Sequence, residues 1–548
     1  MGKVLVTAAL PYANANIHLG HLRSTYIPSD IYARYRRLRG DQVVYVCATD
    51  EHGTPIAVRA EREGVSPKEI VDRYYEAILN DLRSMGCSFD NFGRTTLPVH
   101  HALTQDFFTH LLEDGYIYKA KHEQLFCREC GRFLPDRYVE GRCPHCTEDA
   151  RGDQCEMCGR FLKPIDLMDP HCVTCKTTPE MRQTEHWFFK LSAFREFLER
   201  WLVDNDGLTS NVKNYALQWL REDVRDWCIT RDMAWGVPVP IENVDGKVIY
   251  VWFDAPIGYI STTIEWARLT GRPDGWKDFW TDDESQLVHF IGKDIIYHHA
   301  IFWPAMLKAR GMYSLPSKIV AGEYLTLEGK KMSKSRGWSV EVSEYLEDFE
   351  PDPLRYYLAV VSPLGKDADF RWDEYVRRNN NELADILGNF IHRTLTFTVR
   401  YFERIPEPAE MNEGDVDVLQ SIARTKGAVE TALDTHEFHQ ALRHILNLAA
   451  IGNKYLSDKE PWKTIKRERN EAATTLYVAN QIIRALAIML APFLPFTAEK
   501  LWHMLNLSGS VHEQNWDSIS DELASGHEIN LPEPLFQKLD NATMSKAG

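Results

Sequence analysis

The chain has 548 residues, enough for three to four domains with their own cores, and carries a formal charge of −16. With 44% apolar and 26% charged residues it has the composition of a folded globular protein, which excludes a fibrous, disordered or collagen-like chain. No signal peptide precedes the first predicted strand and no apolar run reaches membrane-spanning length, so the expected compartment is the cytoplasm, without a membrane partner; a polyanion would have to be met by local basic patches.

Lys3–Thr7 reads as a short buried strand, and the loop Ala9–His21 follows it. Ile27, Ile31, Tyr35 and Leu38 then recur at helical spacing, with Gly40 as a C-cap, and Val43–Ala48 reads as a second strand. Strand, loop, helix, strand puts the loop at the carboxyl end of a parallel sheet, where α/β folds bind ligands, and at a helix N-terminus that favours an anion. Pro28 should kink that helix. Asp50, in Ala48–Pro55 at the end of the second strand, can face the same crevice. Amphipathic helices are expected to about Gly86 and again through Phe107, Phe108, Leu111 and Leu112 to Gly115.

His18 and His21 are three residues apart, a spacing that His436 and His439 repeat on an ordinary helix, so the pair alone is weak. It becomes specific beside Lys331-Met332-Ser333-Lys334-Ser335, far along the chain.

Eight of the 11 cysteines fall between residues 116 and 185 as four CxxC pairs: Cys127/Cys130, Cys143/Cys146, Cys155/Cys158 and Cys172/Cys175. In a cytosolic chain these read as thiolate ligands rather than disulfides, and four pairs make two closed, structural zinc sites. Spacing leaves the pairing open. Sequential pairing joins 127/130 with 143/146 and 155/158 with 172/175; nested pairing makes 143/146 with 155/158 an inner site inside 127/130 with 172/175. The short Cys146–Cys155 link fits the inner knuckle. Cys47, Cys87 and Cys228 read as buried small hydrophobes.

From Trp187 to Trp235 the chain reads as helical and aromatic. Lys247–Phe253 reads as a strand running into Asp254–Tyr259, and Leu287–Ile291 as another ending in Gly292–His299; Ile319–Ala321 leads into the lysine-rich loop. The strands before residue 115 and after residue 245 should complete one doubly wound parallel sheet with the cysteine region inserted in its crossover, an α/β Rossmann-type fold. From 374 to 507 the pattern is helical throughout and reads as an antiparallel bundle; beyond 510 it turns polar and aperiodic. Basic patches for RNA are Arg34, Arg36, Arg37 and Arg39, then Arg377 and Arg378, then Lys463, Lys466, Arg467 and Arg469, each equally readable as a solvated helix face.

The two distant motifs resemble the HIGH and KMSKS signatures of the class I aminoacyl-tRNA synthetases. The match narrows to the methionyl-tRNA synthetases with two zinc knuckles, over about residues 3–505. That resemblance favours the nested cysteines: Cys143, Cys146, Cys155 and Cys158 for the inner zinc, Cys127, Cys130, Cys172 and Cys175 for the outer. It implies a methionine pocket of Leu10, Tyr12, Asp50, Trp252, Ala255, Pro256, Tyr259, Ile295 and His299, Asp50 taking the α-ammonium; a thioether does gain from aromatic surface. It implies ATP held by His18, Gly20, His21, Gly292, Asp294, Lys331 and Lys334, with His18, His21, Lys331 and Lys334 catalytic and Mg²⁺ arriving with the nucleotide. Asn389, Arg393 and Trp462 match anticodon-reading positions, and unpaired bases are commonly read by stacking and by Arg or Asn donors; packing of the bundle by Trp462 is the alternative.

The domains implied are 1–115 and 231–322 for the two catalytic halves, 116–230 for the knuckle insertion, 323–372 for the KMSKS loop and linker, and 373–548 for the anticodon bundle and polar tail. The activity implied is ligation of L-methionine to initiator and elongator methionine tRNAs through methionyl-adenylate, by a monomer, with a separate tRNA-binding protein in trans left open. Two other classes compete: a nucleotidylyltransferase using the same HxGH chemistry, and a non-enzymatic zinc-knuckle RNA-binding protein. Methionine-dependent pyrophosphate exchange separates all three.

Overall fold

The structure, a computed structural model, describes residues 2–540 apart from 153, 154, 156, 159, 161, 222, 223, 245, 333–336 and 364. Its centre is a sheet of five parallel strands in the spatial order Lys318–Gly322, Gln286–Gly292, Lys3–Ala8, Gln42–Thr49, Asn91–Arg94. The chain winds outward on one side of Lys3–Ala8, then returns to its other side with Gln286–Gly292. The order therefore reverses beside the first strand, and the crevice at that reversal is where such sheets bind ligands. Val4, Leu5 and Val6 are wholly buried, as expected for a strand covered on both faces.

The helix after the first strand widens into a π-helical turn at Leu22–Tyr26 before continuing as Ile27–Leu38. Pro28 has no N–H to give the Ser24 carbonyl, so the bonding pattern shifts a turn earlier, and the Ile27 N–H reaches the Leu22 carbonyl. Gly322 packs on the released segment: a Cβ there would lie 2.3 Å from the Ser24 oxygen.

Three expectations are corrected. Lys247–Phe253 is not a strand of the central sheet: Lys247–Ile249 pairs antiparallel with Thr230–Asp232, and Trp252 lies on a short helix, Val251–Asp254. An apolar run this short does not distinguish strand from helix. Trp187 sits on a strand, Glu180–Phe189, which pairs with Ile117–Cys127 over ten residues and carries the cysteine region at its far end. The segment after 510 is not a loose polar tail. Val511, Trp516, Ile519 and Leu523 are buried in the same core as the bundle, anchors too irregularly spaced to register as a period.

The bundle is built from Asn389–Phe402, Glu413–Asp434, Phe438–Lys459, Arg469–Leu490 and Pro495–Met504. Contrary to the reading of apolar runs, Arg469–Leu490 is long and apolar enough to cross a membrane; its apolar window is wholly buried inside the protein, as befits a helix surrounded by others. One ion pair joins bundle, linker and sheet. Arg355 and Asp30, both with side chains at 0% exposure, meet at 2.7 Å. Arg355 also donates to the carbonyls of Met85, Pro492 and Phe493. Burial opposes ionisation of Asp30, but Arg34, Arg355 and two Ser88 donors hold its carboxyl below the usual range.

Candidate active site and cysteine centres

His18 caps the first helical turn at the sheet's reversal point. Its Nδ1 accepts the Gly20 N–H at 3.1 Å, and His21 Nδ1 accepts the His18 N–H at 3.1 Å, so the two rings lie 4.0 Å apart. Gly20 is required here by the imidazole itself: a Cβ would fall 2.8 Å from His18 Cε1. The second motif comes to the same place. The Leu19 N–H donates to Val340 O and the Val342 N–H to Ile17 O, both at 3.2 Å, and Met332 Sδ would lie 3.9 Å from a Gly20 Cβ. Lys331 is exposed at the loop's start; Lys334 lies outside the described residues. Gly292 ends its strand, and Asp294 follows in the turn Lys293–Ile295.

The nine predicted methionine residues fall into two sets. Tyr12 and Trp252 line a cavity of about 320 Å³, with Arg137, Arg231 and Trp235 on its other walls. Leu10, Asp50, Ala255, Pro256, Tyr259, Ile295 and His299 do not line that cavity. Asp50 is nevertheless bridged to Tyr12 along the backbone, and its buried Oδ1 has no hydrogen-bond partner among the described residues. Burial, and then the neighbouring charge of Asp254, push its carboxyl well up. A ligand cation would relieve both. The Tyr12 hydroxyl donates to the His52 carbonyl. His299 accepts the Tyr259 hydroxyl at 2.8 Å through Nε2 and donates from Nδ1 to Ile295 O at 3.1 Å; burial lowers its pKa to about 4, so the ring is neutral.

Four residues at or beside this site were not expected. His298 stacks flat on Trp252, centroids 3.9 Å apart and planes 2° apart. Trp235 Nε1 donates to Glu51 O at 2.7 Å. Arg137 and Arg231 reach the cavity from outside the central sheet. No spacing rule marks them; only doubling of the aromatic–histidine run at 297–299 hinted at His298. Asp254 meets His52 Nδ1 at 2.8 Å, and these two with His100 lie close enough to hold an ion. The His100 nitrogens, however, face Ser261 and Thr104 hydroxyls, and the cluster reads as a hydrogen-bonded core.

The eight cysteines gather in the nested arrangement: Cys127, Cys130, Cys172 and Cys175 in one group, Cys143, Cys146, Cys155 and Cys158 in the other. Cross-pair Sγ separations are 3.3 and 3.8 Å in the first and 3.8 and 3.5 Å in the second. Four sulfurs at metal–sulfur bonds of about 2.3 Å stand roughly 3.8 Å apart in a tetrahedron, so both groups fit one metal each. None of the eight is in a disulfide.

On the bundle, Arg393 lies over the Trp462 ring at 4.8 Å, Phe397 flanks the same ring at 6.1 Å, and Asn389 is exposed at the start of their helix. The first two basic patches resolve into intramolecular pairs. Arg34 binds Asp30, Arg36 binds Asp41, Arg37 binds Asp90 and Arg39 binds Glu430, while Arg377 and Arg378 bind Glu374. Lys466 and Arg467 stay exposed.

A family profile described as tRNA synthetases class I (M) matches residues 4–395, and one described as the anticodon binding domain of methionyl tRNA ligase matches 405–547. The chain belongs to the methionine branch of the class I tRNA synthetases. The chain is 48% identical to a methionine–tRNA ligase of Methanobrevibacter smithii over 547 residues, covering 100% of this chain and 82% of that one. The corresponding ligase of Methanopyrus kandleri is 50% identical over 552 residues, covering 100% and 81%. Among solved structures, the Mycobacterium tuberculosis methionyl-tRNA synthetase bound by methionyl-adenylate superposes with a TM-score of 0.81 at 27% identity, covering 98% of this chain and 100% of that one. Its apo form superposes at 0.74 with 25% identity, covering 98% and 99%. Membership of this family sets aside the nucleotidylyltransferase and the non-enzymatic RNA-binding readings.

Proposed function

We propose that this member of the family ligates L-methionine to its tRNA. The observation that carries the reading is the meeting of the two distant motifs at the sheet's reversal point, beside an aromatic cavity, in a chain similar over its full length to methionine–tRNA ligases. A methionine carboxylate oxygen attacks the α-phosphorus of ATP and pyrophosphate leaves, giving methionyl-adenylate. A terminal hydroxyl of the tRNA then attacks the methionyl carbonyl and AMP leaves. Neither step needs a protein nucleophile, so positioning and charge do the work.

In this reading His18 and His21 donate to phosphate oxygens as charge builds, Lys331 and Lys334 clamp the leaving pyrophosphate, and Asp294 takes the ribose hydroxyls. Tyr12 and Trp252 pack the thioether and Asp50 meets the ammonium; Tyr259 and His299, a hydrogen-bonded pair that does not line the cavity, are assigned to the same pocket on the family resemblance. ATP brings its Mg²⁺ as part of the substrate. The two cysteine groups hold structural zinc, closed by four thiolates and without an open position. Asn389, Arg393 and Trp462 read unpaired anticodon bases. Domain limits at 115, 230, 322 and 372 follow the same reading. The test is pyrophosphate exchange with ATP against a panel of amino acids. Exchange with methionine alone is expected; exchange with another amino acid, or none, overturns the reading.

A further inference from the structure

Lys331 does not sit on the central parallel sheet. Among the described residues, Lys330–Lys331, Leu325–Leu327 and Ala368–Phe370 form a small sheet of their own, with Leu325–Leu327 in the middle. The chain reaches that small sheet at two places. Glu323 and Tyr324 lead into it from the central strand Lys318–Gly322, and Lys366 and Asp367 lead into Ala368–Phe370. Ladder hydrogen bonds fix strands within one sheet. The orientation of the small sheet against the large one is set by whatever pins these two connectors.

Two cations pin both connectors at once. Arg23, two residues past His21, is only 3% exposed. Its NH1 donates to the Glu323 carbonyl, its NH2 to the Lys366 carbonyl at 2.8 Å, and its Nε to the Ser362 hydroxyl at 2.9 Å. Lys293, immediately before Asp294, places Nζ 2.8 Å from Glu323 Oε2 and 2.5 Å from Asp367 Oδ1. The connectors also bind each other: the Tyr324 N–H donates to Asp367 Oδ1 at 2.9 Å, and the Ala368 N–H to Tyr324 O at 3.0 Å. Asn211 Nδ2 takes the second Glu323 oxygen at 2.8 Å. Two cations thus meet two carboxylates. Burial opposes the charge on Lys293, and Asp367 and Glu323 outweigh it; burial lowers the pKa of Arg23 to about 10 against the same two carboxylates.

The cluster reaches Lys331 through one ring. Lys293 Nζ lies 4.1 Å over the Tyr324 ring, and Lys331 Nζ lies 5.9 Å over the same ring. Burial pushes the Asp294 carboxyl up, and Lys331 and Lys293 oppose the rise, so both ammonium groups are felt at Asp294. Each pinning cation comes from an element that carries a group of the active site. Arg23 lies in the helical turn behind His18 and His21, and Lys293 in the turn that holds Asp294.

Resting on the assignment of Lys331 and Lys334 to the leaving pyrophosphate, we propose that Lys293 and Arg23 are positioning residues that set the hairpin carrying Lys331 in register with His18, His21 and Asp294. They act through the place at which the loop lysines stand when the bond from the α-phosphorus to the leaving oxygen breaks. A contact made in the transition state is sensitive to placement, and a displacement of about 1 Å can cost on the order of 10²-fold in rate. Adenylate formation therefore depends on the Lys293–Arg23 cluster. Transfer of methionyl from finished adenylate to tRNA involves no pyrophosphate and does not.

The test follows the two steps separately on the full chain: adenylate formation by rapid quench, and transfer to tRNA from the isolated enzyme–adenylate complex, with methionine affinity by calorimetry. Lys293→Met is expected to slow the first step by about 10-fold or more and leave transfer and methionine affinity within about twofold; Lys293→Arg should recover part of the loss. Arg23→Lys, which keeps the charge and loses the fork, should follow Lys293→Met. The Asp367 side chain is 57% exposed, so Asp367→Asn leaves the core intact. It is expected to slow the first step alone by about threefold or more, and it decides the matter if Lys293→Met does not fold. In a Lys331→Ala, Lys334→Ala background, Lys293→Met should cost less than about twofold further, because the groups it positions are gone. An unchanged first step, equal slowing of both steps, or an undiminished loss in the double-alanine background overturns the proposal. If the double-alanine chain itself forms adenylate at the wild-type rate, the loop assignment fails, and the positioning role with it.

Discussion

Replacing Arg355 with Met tests how bundle and sheet are held together. The guanidinium is wholly buried and satisfies Asp30 and three carbonyls, those of Met85, Pro492 and Phe493. Methionine fills much of the same volume, so the loss is mainly polar. Breaking a buried pair costs about 3–5 kcal/mol when the partner charge is left uncompensated. Here Arg34 and Ser88 still reach Asp30, which lowers that figure, while three stranded carbonyls raise it, at about 1–3 kcal/mol for each that no water reaches. A net loss of about 3–5 kcal/mol corresponds to a fall of roughly 6–15 °C in the melting temperature of a domain of about 170 residues. Differential scanning calorimetry on the full chain reads this directly. The double variant Asp30→Asn, Arg355→Met should recover part of the loss, because the stranded charge is removed with its partner. A single variant melting within about 1 °C of wild type would refute the reasoning.

Lys334→Ala should slow adenylate formation by on the order of 10²-fold with methionine affinity little changed, since a pyrophosphate clamp acts mainly in the transition state; a normal exchange rate refutes the role. Metal analysis should find two zinc ions per chain, with Cys155→Ser disturbing the same ion as Cys143→Ser and Cys127→Ser the same ion as Cys172→Ser; cadmium substitution and its charge-transfer band read the pairing. Trp462→Ala should cost tRNA about 1–3 kcal/mol of binding and leave tRNA-independent exchange near wild type. Because Arg393 and Phe397 also lean on that ring, a proportionate fall in melting temperature and all activities would instead mark it as a packing residue. His436 is buried against Tyr32 and Phe290, and burial, with Lys318 and Arg36 adding, lowers its pKa to about 3. The unfolded chain takes up that proton near pH 6.5 and the folded chain does not, so stability is full above about pH 6.5 and declines as pH falls. His436→Phe should flatten that part of the melting temperature's pH dependence, and an unchanged slope counts against the assignment.

The chemistry of the chain was legible where it is carried by residues close in sequence. Two ligands per CxxC loop, the His18–His21 turn behind the first strand and the all-helical stretch after 374 are short-range patterns, and backbone geometry converts each directly into local structure. Fold class followed from them, because a parallel sheet with a long crossover has few ways to wind. What joins distant segments had no such signal. Asp30 and Arg355 meet across 325 positions. The grouping of the four CxxC loops was left open by spacing and favoured as nested by the short Cys146–Cys155 link and the resemblance; the paired strands Ile117–Cys127 and Glu180–Phe189 bring the outer ends of that region together. The run Arg34 to Arg39 reads as a basic patch in sequence and is neutralised in space: Arg34 and Arg36 by the nearby Asp30 and Asp41, Arg37 and Arg39 by Asp90 and Glu430 from other elements. Arg137 and Arg231 reach the cavity beside Tyr12 and Trp252 from the turn Asp136–Tyr138 and the strand Thr230–Asp232, far along the chain from Tyr12. Periodicity reports how a segment buries itself; which charges meet, and which wall closes a cavity, is settled by packing between elements that the chain visits at different times.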